Sequence, residues 1–407
     1  MTEQFERNTH PETETTITPS HVTVSRRGTS RRKKKQAAKT RATVLMVLRR
    51  TGLCVVTTLL LLVVGVWLLG NMVFNGPFPA ARDVLTMSLL EPSGTKWIPP
   101  LFLDKATLDA IRYGDQGLLD IIPPDVGGPG VTVIPGGSSE NPDEWKDCPD
   151  GVYIKEVKGA TFNAYVMVIR DPSQVYMATS SVPFSKNQPG LRINQAIKKE
   201  GAIAAINAGA FFDNGTSDPV VGSVPEGLVI AGGEVLWTSG QAPENGFAGF
   251  NEDNVLVVDH SMTAKRAKEL KIRDGCCFGP ALIINGFPNL EAMNSASGYN
   301  PRTAIGQRAD GAVIFVCVDG RQTASIGATY KDVINIMTDF GAVNACNLDG
   351  GSSTVMLYRD QFGRYDGDTH RQRFEDNVVM INTYPLLQTE PRRMPTFFMV
   401  RPAESEE

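Results

Sequence analysis

The stretch VYIKEVKGATFNAYVMVI, Val152–Ile169, sets the fold class. Two runs rich in β-branched and aromatic residues flank Lys158-Gly159, and a turn between such runs reads as an antiparallel hairpin. The same reading repeats along the chain. Val175–Ala178, Ala202–Ile206, Val255–Val258, Ala281–Ile284, Thr303–Ile305, Val313–Val318, Thr354–Leu357 and Val378–Tyr384 are short strand candidates. Gly232-Gly233 divides Leu228–Ile230 from Val235–Trp237 as a further hairpin. Helical signals are few: Leu191–Lys199, which Gly201 would cap, Thr263–Leu270, and Tyr330–Phe340, where Val333, Ile334, Ile336, Met337 and Phe340 recur at helical spacing. Many hairpins and few helices predict an α+β class with mixed, hairpin-rich sheets and a few packed helices, rather than a doubly wound sheet.

Upstream the composition changes. Residues 73–150 carry PFP, WIPP, IIPPD, GGPG, PGG and NPD, a density of proline and glycine that marks turns and extended chain. One helix is predicted there, Lys105–Tyr113, with Asp104 as its cap. Before it, TGLCVVTTLLLLVVGVWLLG, Thr51–Gly70, has twenty residues and no charge. That length spans about 30 Å of hydrocarbon as a helix. Arg49 and Arg50 precede it, so the positive-inside rule puts the N-terminus in the cytoplasm and the body outside. An n-region of some fifty residues is long for a cleaved signal peptide, and no clear small-x-small site ends the apolar run, which favours an uncleaved signal anchor. The organisation predicted is a disordered basic cytoplasmic tail over 1–43, a transmembrane signal anchor over 44–72, a connecting region over 73–150, a domain over 151–386 and a polar C-terminal tail over 387–407.

Charge and cysteine counts exclude some functions. Residues 1–50 hold 12 Lys+Arg and 4 Asp+Glu, whereas the remainder holds 28 and 40. An acidic body disfavours nucleic acid as a partner. Four histidines in 407 residues argue against a His-rich metal site. No CxxC, GxSxG, HExxH or GxxxxGK[ST] occurs. The pairing of Cys148, Cys276, Cys277, Cys317 and Cys346 stays open, since five cysteines cannot all pair within one chain.

Four patches set polar residues at the ends of apolar strand candidates, where a rigid sheet can position them. They are Asn207–Phe212, Asn300–Gly306, Val318–Arg321 and Asn347–Thr354. Asp349, Asp319, Arg302 and His260 are the catalytic candidates. Asn207, Arg321, Gly350, Gly351, Ser352 and Ser353 are the substrate-binding candidates. The two arginines suit an anion, because a guanidinium presents a planar fork of donors. Gly350 and Gly351 would offer unblocked amides to the same anion, and Ser352 and Ser353 hydroxyls. Asp319 and Asp349 would orient water, move a proton or share a divalent cation such as calcium or magnesium; no cofactor is required by the sequence. His260 reads as a proton shuttle or a satisfied strand-end histidine. Asp213–Asp218 reads as a polar rim.

Taken in order, INAGAFF (206–212), SVPEGLVIAGGEV (223–235), GPALIING (279–286), NPRTAIGQ (300–307), VDGR (318–321) and NLDGGSST (347–354) resemble the phosphodiester glycosidase family over about residues 150–385. The resemblance implies hydrolysis of a sugar-1-phosphodiester to a free sugar and a phosphomonoester, in cell-envelope or exopolysaccharide metabolism. It maps the family's site onto Asn207, Arg302, Asp319, Arg321, Asp349, Gly350, Gly351, Ser352 and Ser353. Ser352 stands where the family usually has a third glycine. The partners implied are a sugar phosphodiester or envelope glycan and, through residues 51–70, a lipid bilayer; protein partners stay open. The alternative reading is a non-catalytic carbohydrate-binding or assembly protein in exopolysaccharide biosynthesis or export.

Overall fold

A computed structural model describes residues 27–90, 95–113, 133–134, 142–212, 222–239, 246–295 and 297–403. The tail before residue 27 and the rim at Asp213–Asp218 lie outside them. The chain divides into two units, Met1–Gly70 and Asn71–Glu407.

The described residues of the first unit all belong to one helix, Arg27–Phe74, whose last four residues fall in the second. Among the described residues it is the one helix long and apolar enough to cross a membrane. It also covers residues 27–43, where the sequence reading expects disorder. Lys, Arg, Gln and Ala are good helix formers, and a basic stretch joined to an apolar helix propagates an existing helix rather than nucleating its own.

In the second unit, Lys105–Tyr113 is helical as predicted, and the Thr107 N–H donates to Asp104 Oδ1 at 2.8 Å. The connecting region also contains a helix that the proline-rich pattern concealed, Pro79–Leu90. Phe74, Leu103 and Ile111 form a small buried cluster there, with Met87 and Leu89 packed against it.

The body that follows is built on antiparallel sheets, with short helices between the strands. One sheet has seven strands in the order Val152–Lys158, Asn163–Ile169, Val313–Val318, Arg302–Arg308, Ala342–Leu348, Ala281–Ile284 and Phe287–Pro288. A five-stranded sheet runs Glu234–Thr238, Leu228–Ala231, Ile272–Cys277, Phe247–Asn251 and Leu256–Asp259. A second five-stranded sheet runs Val378–Met380, Met356–Arg359, Ala204–Asn207, Thr396–Val400 and Val175–Thr179. All three sheets feed one core, in which Met167, Phe315, Phe250, Ile206, Met356 and Phe398 are buried together. The helix Tyr330–Asp339 buries Val333, Ile334, Ile336 and Met337 in a second cluster with the seven-stranded sheet. The α+β expectation holds.

Two central strands escape the sequence reading. Phe247–Asn251 and Ile272–Cys277 are interrupted by Gly249 and Gly275. A Cβ on either would lie less than 3 Å from the buried Phe247 ring, so the glycines are what let that ring pack. The segment read as a polar tail after Pro385 carries Thr396–Val400, which pairs on both sides, with Val175–Thr179 and Ala204–Asn207. Its five residues are all buried.

Phe398→Ala is therefore expected to cost about 3–5 kcal/mol, and Leu387→Ala, at a residue 94% exposed, less than about 0.5 kcal/mol. Urea unfolding of the full chain in detergent measures both.

Candidate functional site

The antiparallel order of the seven-stranded sheet brings the predicted patches to one edge. Arg302 opens its strand and pairs with Val318, which closes the next. Thr303 pairs on the other side with Leu348, which also closes its strand. The segments that precede Arg302 and follow Val318 and Leu348 therefore emerge together. The last strand residue of Ala204–Asn207, from a different sheet, joins them.

Asn207 makes that join. It is fully buried. Its Nδ2 donates to the Asp349 carbonyl. Its Oδ1 accepts from Thr303 Oγ1 at 2.8 Å and from the Val355 N–H at 3.2 Å. The Asp349 N–H donates in turn to the Ala208 carbonyl at 3.0 Å. One amide thus fixes both ends of the loop 349–354.

The glycines of that loop work differently from the sequence expectation. The Gly351 N–H is given to the Pro301 carbonyl at 2.9 Å rather than left open for an anion. A Cβ on Gly350 would sit 2.7 Å from the Pro301 carbonyl oxygen, and Gly351 has φ +61°. Both glycines serve a close approach of two loops. The approach brings Arg321 in, because a Cβ on Gly351 would lie 3.2 Å from both terminal nitrogens of its guanidinium. Arg321 itself has φ +55°, and its Nη2 donates to Asn300 Oδ1 at 2.9 Å.

Burial separates the candidates into two groups. Asp349, Gly350, Gly351, Ser352 and Arg321 are partly exposed. Asn207, Arg302, Asp319 and Ser353 are buried. Arg302, 4% exposed, donates from Nε to the Ala328 carbonyl at 3.1 Å and from Nη2 to the Gly298 carbonyl at 2.8 Å. Its Cζ lies 4.2 Å from the Tyr330 ring centroid. This guanidinium fastens the loop 298–301 from beneath. Asp319 accepts the Thr383 N–H at 2.8 Å, the Thr383 hydroxyl at 2.6 Å and the Tyr165 hydroxyl at 3.3 Å. Burial pushes its carboxyl above the usual aspartate range, and the hydrogen bonds from Thr383 and Tyr165 oppose that push.

His260 lies elsewhere, after the edge strand Leu256–Asp259 of the other five-stranded sheet. Among the described residues no group of three His, Cys, Asp or Glu is placed to hold a metal ion. All six cysteines are free thiols.

The sequence reading missed three residues here. Gln388 donates to the Ser352 carbonyl at 2.9 Å. Arg392 reaches Ser353 Oγ at 3.4 Å, with its Cζ 5.1 Å from the Phe211 ring centroid. Thr383 holds Asp319. All three follow the last quoted motif; Thr383 lies in the strand candidate Val378–Tyr384, and nothing in the local sequence of Gln388 or Arg392 distinguishes them from an ordinary polar surface.

The chain is similar to known proteins. A family described as phosphodiester glycosidase matches residues 200–401. A SPbeta prophage-derived uncharacterized protein of Bacillus subtilis (strain 168), YomE, is 31% identical over 205 residues. The match covers 48% of this chain, and the chain spans 30% of that relative's length. The catalytic domain of zebrafish N-acetylglucosamine-1-phosphodiester alpha-N-acetylglucosaminidase, auto-inhibited by its pro-peptide, aligns at TM-score 0.49 and 19% identity, over 66% of this chain and 87% of its own. A hypothetical protein from Synechocystis aligns at TM-score 0.40 and 16% identity, over 62% of each chain. The chain resembles the phosphodiester glycosidase family.

Asn207→Ala strands two donors and a carbonyl in the interior, and is expected to destabilise the protein by about 2–3 kcal/mol; thermal unfolding measures this. Asp319 predicts a pH dependence. A carboxyl with a raised folded pKa is stabilising to lose as a charge, so its penalty is present above the folded pKa and disappears as pH falls towards the ordinary aspartate value. The stability of wild type relative to Asp319→Asn should therefore rise as pH is lowered from 7 towards 4. A difference that falls over that window contradicts the assignment.

Proposed function

We propose that this chain hydrolyses a sugar-1-phosphodiester at the loop edge formed by Asn300–Arg302, Arg321 and Asp349–Ser353, on envelope or exopolysaccharide material outside the cell. The observation that carries the reading is the seat of Arg321. Its guanidinium lies against Gly351, in a partly exposed turn whose neighbouring residues in sequence are Asp349 and the hydroxyl-bearing Ser352. A cation, a carboxylate and hydroxyl donors gathered at one edge are what a glycosyl phosphodiester requires.

Arg321 holds the phosphodiester with charge-assisted hydrogen bonds, helped by Ser352. Arg302 and Asn207 lie beneath and keep the two loops in register. Asp349 orients a water and takes its proton as the water oxygen attacks the anomeric carbon. The carbon–oxygen bond to phosphate breaks, and the phosphomonoester leaves with the electron pair. A phosphate ester is a good leaving group, so strong general-acid assistance is not needed, and charge stabilisation by Arg321 supplies much of the rate. The anchor helix holds the domain at the membrane, with its N-terminal basic segment inside.

Intact cells expressing the chain, given membrane-impermeant sugar-1-phosphodiesters, should release sugar and phosphomonoester in equal amounts. Arg321→Ala and Asp349→Asn should each lower the rate about 10²-fold or more. Equal rates in the variants overturn the residue roles. Release only after permeabilisation overturns the orientation. A folded wild type that binds envelope glycans without turnover favours the assembly reading.

A further inference from the structure

The helix Pro79–Leu90 meets the site loop at Ser88. Ser88 Oγ accepts the Tyr299 N–H at 2.8 Å and donates to the Val84 carbonyl at 2.8 Å within its own helix. A Cβ on Gly298 would fall 2.2 Å from both Ser88 N and Ser88 Oγ, so no other residue fits at 298 without moving the helix. The next residues of that loop each hold part of the site. The Gly298 carbonyl accepts Arg302 Nη2, Asn300 Oδ1 accepts Arg321 Nη2, and the Pro301 carbonyl accepts the Gly351 N–H. Four consecutive residues, 298–301, thus connect Ser88 with Arg302, Arg321 and the glycine turn.

We infer that Ser88 is a positioning residue for the phosphodiester site: through Gly298 and Tyr299 the helix Pro79–Leu90 sets the loop that aims Arg321. Two features make this more than general packing. Met87 and Leu89, on either side of Ser88, pack in the separate apolar cluster of Phe74, Leu103 and Ile111. Ser88 instead spends its hydroxyl on the backbone of a loop 211 residues away. The stretch that follows the apolar helix in sequence is therefore a working part of the site rather than a passive stalk, and a shift of this helix would be read at Arg321. The kinetic arm of the test rests on the glycosidase reading; the exchange arm does not.

The test uses the full chain in detergent and compares wild type with Ser88→Ala. Amide hydrogen exchange is read over residues 298–302, and kcat and KM are read on a sugar-1-phosphodiester. Removing one hydrogen-bond acceptor should speed exchange of this segment about threefold to tenfold. KM should rise by a similar factor, with kcat within about twofold of wild type. Gly298→Ala, which wedges the same contact from the other side, should move both in the same direction and further. A lowered Tm with unchanged exchange and unchanged KM would reduce Ser88 to a structural residue and overturn the inference. A lower KM or a faster rate in Ser88→Ala would also overturn it, since the helix would then restrain the site. If wild type turns over no sugar phosphodiester, the glycosidase reading fails, and the exchange arm alone decides the role of Ser88.

Discussion

The buried amide of Asn207 is the constraint on which the site depends. It sits at the end of a strand in one sheet and fixes the loop that leaves a strand in another. A fully buried amide must be hydrogen-bonded, because leaving its groups unpaired costs about 1–3 kcal/mol each. Asn207 meets that requirement by joining Thr303, Asp349 and Val355, which belong to segments far apart in sequence. The same bonds that satisfy the core therefore aim the loop 349–354. Stability and site geometry come from one set of contacts.

The site is layered as a consequence. Asn207, Arg302, Asp319 and Ser353 form a buried floor, tied to backbone, hydroxyl or guanidinium partners. Arg321, Asp349 and Ser352 stand above it with part of their surface exposed. A buried guanidinium contributes fixed charge and holds carbonyls in place. A partly exposed one can exchange water for a ligand's oxygens. The two arginines of these motifs thus differ in depth, Arg302 buried and Arg321 partly exposed.

Much of this was legible. The hairpin at Val152–Ile169, the helix Tyr330–Asp339 and the grouping of NPR, VDGR and NLDGGSST at strand ends follow from local pattern. What was not legible depends on distant partners. Nothing near Asp319 in sequence announces Tyr165 or Thr383, which lie 154 and 64 residues away. Gly350 and Gly351 look like an anion cradle in sequence, and only the proximity of Pro301 reveals that they serve loop contact. Gly249 and Gly275 hide two central strands, because a glycine that makes room for Phe247 has the same local signature as a turn.

We propose above that these loops form an anion site ordered by Arg321 over the glycine turn. A crystal structure of the chain with a sugar-1-phosphonate analogue, its bridging oxygen replaced by methylene, tests it most directly. Phosphonate oxygens are expected within hydrogen-bond distance of the Arg321 guanidinium and the Ser352 hydroxyl, with the anomeric carbon facing Asp349. A ligand bound away from residues 300–302, 321 and 349–353, or Arg321 turned away from an occupied site, would contradict it.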